Sequence, residues 1–223
     1  LPNELIALRP ADPRSSSKLL VSSGDEIIDD HFFNIIKYLK RGDRLVLNDT
    51  KVIPAKLSGQ RIRYSDNGKT SANIGVNLLS MIKEGHWLAL AKPAKRVNVG
   101  ETIHFGKDLN ALVLEKSPNG LLLKFNMSEE NFEKKLETLG KMPLPPYIAS
   151  QRLPDELDDN DYQTVFAKHS GSVAAPTASL HFDNMILKQL IDCGIKISKV
   201  TLHVGAGTFL PVKANNIADH KMH

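Results

Sequence analysis

Between Ala55 and Met142 the chain changes its pattern, and that change limits the architectures open to it. Short apolar runs recur at Ile74 to Met81, Trp87 to Ala91, Thr102 to Phe105, Ala111 to Glu115 and Leu121 to Phe125. Turn residues separate them: Asp66-Asn67-Gly68, Glu84-Gly85, Val99-Gly100 and Pro118-Asn119-Gly120. Short strands at this spacing predict a small antiparallel barrel. A helix should follow, capped by Ser128, with Phe132, Leu136 and Leu139 on one face and Gly140 at its end.

The flanking segments read differently. Before the barrel, a Pro-rich arm leads to a predicted helix capped by Asp29 or Asp30. Its apolar stripe is Phe32, Phe33, Ile35, Ile36 and Leu39, and Gly42 ends it. Leu45-Val46-Leu47 then forms a short buried strand that runs into a polar turn, Asn48-Asp49-Thr50. After the barrel, Pro143-Leu144-Pro145-Pro146-Tyr147 predicts a rigid extended linker and Asp155 to Asp161 an acidic loop. Asp183 should cap a helix through Met185, Ile186, Leu187 and Leu190 that stops at Gly194, and a strand should run from Ile195 to His203. The expected fold class is therefore α/β. An α/β domain over 1–54 and 143–223 is interrupted by an inserted antiparallel β-barrel over 55–142.

A length of 223 residues suits one large domain or two small ones, and 41% apolar with 24% charged residues is the balance of a soluble globular protein. No apolar run reaches the ~20 residues that cross a bilayer. The first residues carry Glu4, Arg9 and two prolines, unlike a secretory leader. The single cysteine, Cys193, reads as a small buried apolar residue, and cytoplasmic residence is expected. A formal net charge of +4 permits an RNA partner without requiring one.

Several short motifs carry chemistry. Asn48-Asp49-Thr50-Lys51 sits at a strand's carboxyl end, where Asp49 suits a base or a hydroxyl-binding group and Lys51 an anion, although turn-forming side-chain chemistry explains the first three residues just as well. Gly205-Ala206-Gly207-Thr208 also follows a strand, where ligands of α/β sheets bind, although a plain tight turn explains it equally. The stretch Ser172 to Ser179, which includes Thr177, is small and nearly uncharged, which suits either backbone amides open to a ligand or a close-packed loop under a neighbouring element. His181, His203, His220 and His223 suit proton transfer better than metal binding, since cysteine clusters and paired carboxylates are missing; no metal site is expected. Lys56, Arg61, Arg63, Lys69, Lys92, Lys95 and Arg96 form either a solvated face or a track for an RNA backbone.

Taken in order, these blocks resemble one family. Gly42 to Ala55, Leu144-Pro145-Pro146-Tyr147-Ile148, Tyr162-Gln163-Thr164-Val165-Phe166-Ala167, Ser172 to Phe182, Thr201 to Phe209 and His220-Lys221-Met222-His223 are similar to the signatures of the S-adenosylmethionine:tRNA ribosyltransferase-isomerases of queuosine biosynthesis. The family pattern begins before Leu1 and continues beyond His223. Leu8 stands where glutamine is usual, and Ser179 where glycine is usual. The resemblance implies an α/β domain carrying a β-barrel. It also implies transfer and isomerisation of the ribosyl group of S-adenosylmethionine onto 7-aminomethyl-7-deazaguanine at the tRNA wobble position. Epoxyqueuosine would form and adenine and methionine would leave.

Such a reaction needs a base for a ribose C5′ hydrogen made acidic by the sulfonium, and an acid for departing adenine. Asp49, His181 and His203 are assigned these roles. Asn48, Thr50, Lys51, Thr177, Gly205, Gly207 and Thr208 would hold the sulfonium nucleoside, and Tyr147, Tyr162 and Gln163 would stack on or hydrogen-bond a base. S-adenosylmethionine is then a consumed substrate, no cofactor is needed, tRNA is the partner, and a monomer away from membranes is expected. A noncatalytic RNA-binding module and a metal-dependent phosphoesterase are the competing classes.

Overall fold

Two stretches far apart in sequence, Leu1–Val52 and Pro146–Val204, fold together into one unit; Ile53–Pro145 and Gly205–His223 make the other. The computed structural model describes residues 2–66, 68–209 and 216–219. The sequence block His220 to His223 lies outside them. No helix among the described residues is long and apolar enough to cross a membrane.

After two short 3-10 turns, Asn3–Leu5 and Arg14–Ser16, the first unit forms a hairpin, β1 (Lys18–Ser23) against β2 (Glu26–His31), turned by Gly24 at φ 59°. No strand was expected here, because the hairpin buries little: Leu20 and Ile27 stay exposed, so apolar alternation is weak. The predicted α-helix is replaced by a 3-10 helix over Phe32–Tyr38. Asp29 and Asp30 are strand residues and do not cap it. The Asp30 carboxylate instead accepts from the His31 N–H, from Asn34 Nδ2 at 2.6 Å and from the Tyr38 hydroxyl at 2.7 Å. These donors, the Tyr38 hydroxyl foremost, hold its pKa at about 2.

β3 (Arg44–Asn48) follows, and after Asp49 the chain continues as β4 (Thr50–Val52), so the expected polar turn contracts to one residue. The second unit then begins with β5 (Lys56–Ser65), β6 (Gly68–Lys83), β7 (His86–Lys92), β8 (Thr102–Phe105), β9 (Leu109–Ser117) and β10 (Gly120–Phe125). They close into an antiparallel barrel of order β10-β7-β6-β5-β8-β9, which leaves no open edge. β5 escaped the sequence reading because charged and polar residues dilute its inward positions, Leu57 and Arg61. The barrel interior holds Leu57, Ile74, Val76, Leu78, Ile103, Phe105, Leu121 and Leu123, all nearly solvent-free. α1 (Glu129–Leu139) lays Phe132 against Phe125 and Trp87, with ring centroids 4.3 and 5.8 Å apart. Ser128 occupies its N-cap position as expected, without a side-chain capping bond.

Returning to the first unit, the chain forms the short helices α2 (Pro146–Ala149) and α3 (Asp158–Asp161), then β11 (His169–Ser172), α3's larger successor α4 (Asn184–Asp192) and β12 (Lys196–Val200). The linker expected to be extended thus turns helical at Pro146, a position where proline's missing N–H is no loss. The acidic loop is clasped by cations: Arg9 bonds Asp158 and Asp161 at 3.0 Å each, and Arg152 reaches both oxygens of Asp158. Asp183 caps α4 as predicted, accepting from Ile186 N at 2.8 Å. Cys193 corrects the expectation of burial. It is exposed at the C-cap of α4, where Gly194 at φ 82° turns the chain away from the apolar stripe of Ile186 and Leu190. The core of this unit gathers Phe32, Leu47, Phe166, Phe182, Ile186, Leu190 and Ile195.

Candidate functional site

Two of the three two-stranded sheets described in the first unit are parallel, and their pairing brings the motif residues together. β3 pairs with β12, ending at Asn48↔Val200, and β4 pairs with β11 from Thr50↔His169. Parallel strands emerge at the same end, so Asp49 and the segment Thr201–Val204 leave their strands side by side, where α/β sheets bind ligands.

Backbone bonds hold Asp49 from both sides. Its N–H donates to Val200 O at 3.0 Å, and its carbonyl accepts from the N–H groups of Lys168 and His169 at 2.8 and 3.2 Å. The side chain is only 7% exposed. Oδ1 accepts from the Thr201 hydroxyl at 2.7 Å, while Oδ2 lies 3.9 Å from His169 Nε2, an ion pair whenever that imidazole is protonated. A buried carboxylate with a single close hydroxyl donor keeps lone pairs available for a substrate proton.

Asn48 works as a clasp: its Nδ2 donates to Leu202 O at 2.8 Å, and its Oδ1 accepts from Leu202 N at 3.0 Å and Thr50 N at 3.2 Å. The fully buried Thr50 presents Oγ1 to His203 Nδ1 at 2.8 Å. That bond fixes the ring, and the tautomer it selects decides whether Nε2 donates or accepts a proton. Gly171 lies beneath the ring. A Cβ there would stand 2.9 Å from His203 Cε1 and Nε2, so only glycine, at φ 140°, allows this close packing. Ser172 completes the stitching, accepting from Val204 N at 2.9 Å and donating to Ala174 O at 2.7 Å.

The other expected residues take different places. Gln163 clasps Val52, with Nε2 donating to its carbonyl at 2.6 Å and Oε1 accepting its N–H at 3.0 Å; its amide therefore supports β4. Tyr162 is buried, and desolvation raises its hydroxyl pKa, so it stays a neutral donor. Tyr147 is exposed on α2, and Thr177 is exposed at the start of the 3-10 helix Thr177–His181. His181 sits against Phe32, ring centroids 5.5 Å apart, and desolvation lowers its pKa, favouring the neutral base form. Lys51 is half-buried between Thr50 and Val52 on β4. Gly205, Gly207 and Thr208 belong to the second unit, where the Thr208 hydroxyl bonds Gly205 O at 3.2 Å. The roles that sequence reasoning missed belong to Thr201, His169, Gly171 and Ser172. Thr201 and Ser172 lay inside quoted motif blocks, but His169 and Gly171 gave no local signal. Among the described residues no cluster of three or more His, Cys, Asp or Glu is placed to hold a metal.

Comparison with known proteins gives a consistent picture. Residues 1–223 match the family described as Queuosine biosynthesis protein. The chain is 54% identical over 223 residues to the S-adenosylmethionine:tRNA ribosyltransferase-isomerase of Ruegeria pomeroyi, covering 100% of this chain and 64% of that protein. It is 48% identical over 233 residues to the enzyme of the same name from Mesorhizobium japonicum, covering 100% and 63%. The chain thus spans less than two thirds of the length of these relatives. A solved S-adenosylmethionine tRNA ribosyltransferase from Thermotoga maritima is 29% identical, covers 92% of this chain and 56% of that one, and superposes with a TM-score of 0.34.

Proposed function

Because the chain belongs to the queuosine biosynthesis protein family, we propose that it serves a tRNA ribosyltransferase-isomerase reaction that consumes S-adenosylmethionine. The acceptor is 7-aminomethyl-7-deazaguanine at the wobble position, the product base is epoxyqueuosine, and adenine and methionine leave. The protein acts in the cytoplasm on tRNA as a monomer, with S-adenosylmethionine as substrate and without a separate cofactor.

The observation that carries this reading is the strand-end cluster in which Asp49 faces Thr201 and Thr50 holds His203. The chemistry asks for a base at the ribose C5′ carbon, whose hydrogens the sulfonium acidifies. It also asks for an acid at adenine and a neutral aminomethyl nitrogen to attack. Asp49 is the candidate base, kept in register by Val200, Lys168 and His169. His203, anchored through Nδ1, can pass a proton at Nε2, and desolvated His181 is a second neutral base. Asn48, Thr50, Lys51 and Thr177 are the proposed nucleoside ligands within the first unit; Tyr147 and Tyr162 are those for the base.

The test incubates the protein with S-adenosylmethionine and precursor tRNA, following free adenine and the modified base by mass spectrometry. Asp49→Asn and His203→Ala are each expected to slow adenine release by ~10²-fold or more. Unchanged turnover in both variants would remove them from the chemistry. Tight tRNA binding without any S-adenosylmethionine binding by calorimetry would favour the noncatalytic RNA-binding module.

A further inference from the structure

On the outer face of the barrel a groove of about 830 Å³ crosses β8, β5, β6 and β7. Strand register sets its floor in two rows. One row is His104, Gln60 and Asn73, aligned by the pairs Gln60↔His104 and Gln60↔Asn73. The next is Ser58, Gly75 and Lys92, aligned by Ser58↔Gly75 and Gly75↔Lys92. The volume is in the range of small-molecule pockets, yet the lining is unusually polar.

The first row is an ordered polar ladder. Gln60 Nε2 donates to Asn73 Oδ1 at 3.2 Å, and His104 Nδ1 lies 2.6 Å from Asn110 Oδ1. With the amide oxygen accepting, the His104 proton sits on Nδ1 and Nε2 is left as an acceptor. The row therefore carries both donors and acceptors, as the edge of a nucleobase requires.

Gly75 is the second, independent observation. Glycine in a strand interior costs stability, and it persists where packing or close approach demands it. Gly59 is explained by packing, since its Cβ would stand 2.7 Å from His104 O and the Phe105 ring. Gly75 is not: the nearest heavy atom a Cβ would meet is Lys92 O at 3.6 Å. Its side chain would instead enter the groove. Bare backbone at that point offers a flat surface to a planar ligand, with the Lys92 ammonium beside it for a phosphate.

We propose that this groove binds a nucleotide of RNA, its base lying over Gly75 with its edge on Gln60, Asn73 and His104, and its phosphate at Lys92. This rests on the tRNA reading above. It assigns to the barrel a grip on RNA apart from the strand-end cluster. The exposed Lys95 and Arg96, just beyond Lys92, extend the positive charge along the direction a phosphate backbone would take.

The experiment measures binding of an unmodified tRNA transcript by fluorescence anisotropy at two salt concentrations, alongside thermal unfolding and S-adenosylmethionine calorimetry. Gly75→Leu, whose Cβ would meet nothing closer than Lys92 O at 3.6 Å, should weaken tRNA binding at least tenfold and leave the melting temperature and S-adenosylmethionine affinity intact. Lys92→Gln should weaken tRNA binding and lower its salt dependence, and it covers the case in which Gly75→Leu folds poorly. Unchanged tRNA affinity in a folded Gly75→Leu or in Lys92→Gln overturns the proposal, even if the wild type transfers ribose. Weakened tRNA binding in a protein that never binds S-adenosylmethionine supports the groove and overturns the enzymatic reading instead.

Discussion

Gly171→Ala probes the site without touching a polar group. The new Cβ would stand 2.9 Å from the His203 ring, so the ring must swing away and release the buried Thr50 Oγ1. A non-glycine residue at φ 140° adds strain of about 1–3 kcal/mol. Leaving the buried Thr50 hydroxyl unpaired adds about 1–3 kcal/mol. The sum is roughly 2–6 kcal/mol, measured as the loss in equilibrium urea unfolding. His203→Ala should cost about 1–3 kcal/mol through the same orphaned hydroxyl. Because both substitutions break one bond, the double variant should cost less than their sum by ~1 kcal/mol or more. Strict additivity within ~0.3 kcal/mol would refute the claim that Gly171 acts by seating His203. Adenine release should fall with Gly171→Ala as it falls with His203→Ala.

Two further outcomes follow from the electrostatics. Packing against Phe32 partly desolvates the otherwise exposed His181 ring and lowers its pKa, so the unfolded chain binds a proton there that the folded one resists. Stability should therefore drop as pH falls from about 6.5 toward the lowered folded value, and His181→Phe should flatten the urea-midpoint profile over that window; an unchanged profile would contradict it. Asp158→Ala removes the shared partner of Arg9 and Arg152 from a buried position and should cost on the order of 3 kcal/mol. A loss below ~1 kcal/mol in urea unfolding would mean that water replaces the carboxylate.

Local features carried over from sequence where the controlling interaction is local. Asp183 caps α4 because its acceptor reaches an N–H three residues on, and most barrel strands showed as apolar runs between glycine turns. Where a competing contact takes the side chain, the local signal misleads: Asp30 bonds Tyr38 and Asn34 and belongs to a strand, so the helix it was expected to cap becomes a 3-10 turn. Burial at helix ends misleads similarly, as exposed Cys193 shows.

The sequence by itself determined the family, through ordered blocks spread along the chain, and it named Asn48, Asp49, Thr50 and His203 as polar residues at strand ends. Only the tertiary structure decided which of them meet. The bonds Thr50–His203 and Asp49–Thr201 join residues 153 and 152 positions apart, and Gly171 and Ser172 enter the site through β11. Such contacts depend on the parallel pairing of β3 with β12 and β4 with β11. Parallel partners are joined by long crossovers, here with an entire barrel between, so no periodicity within a short window of sequence can encode them.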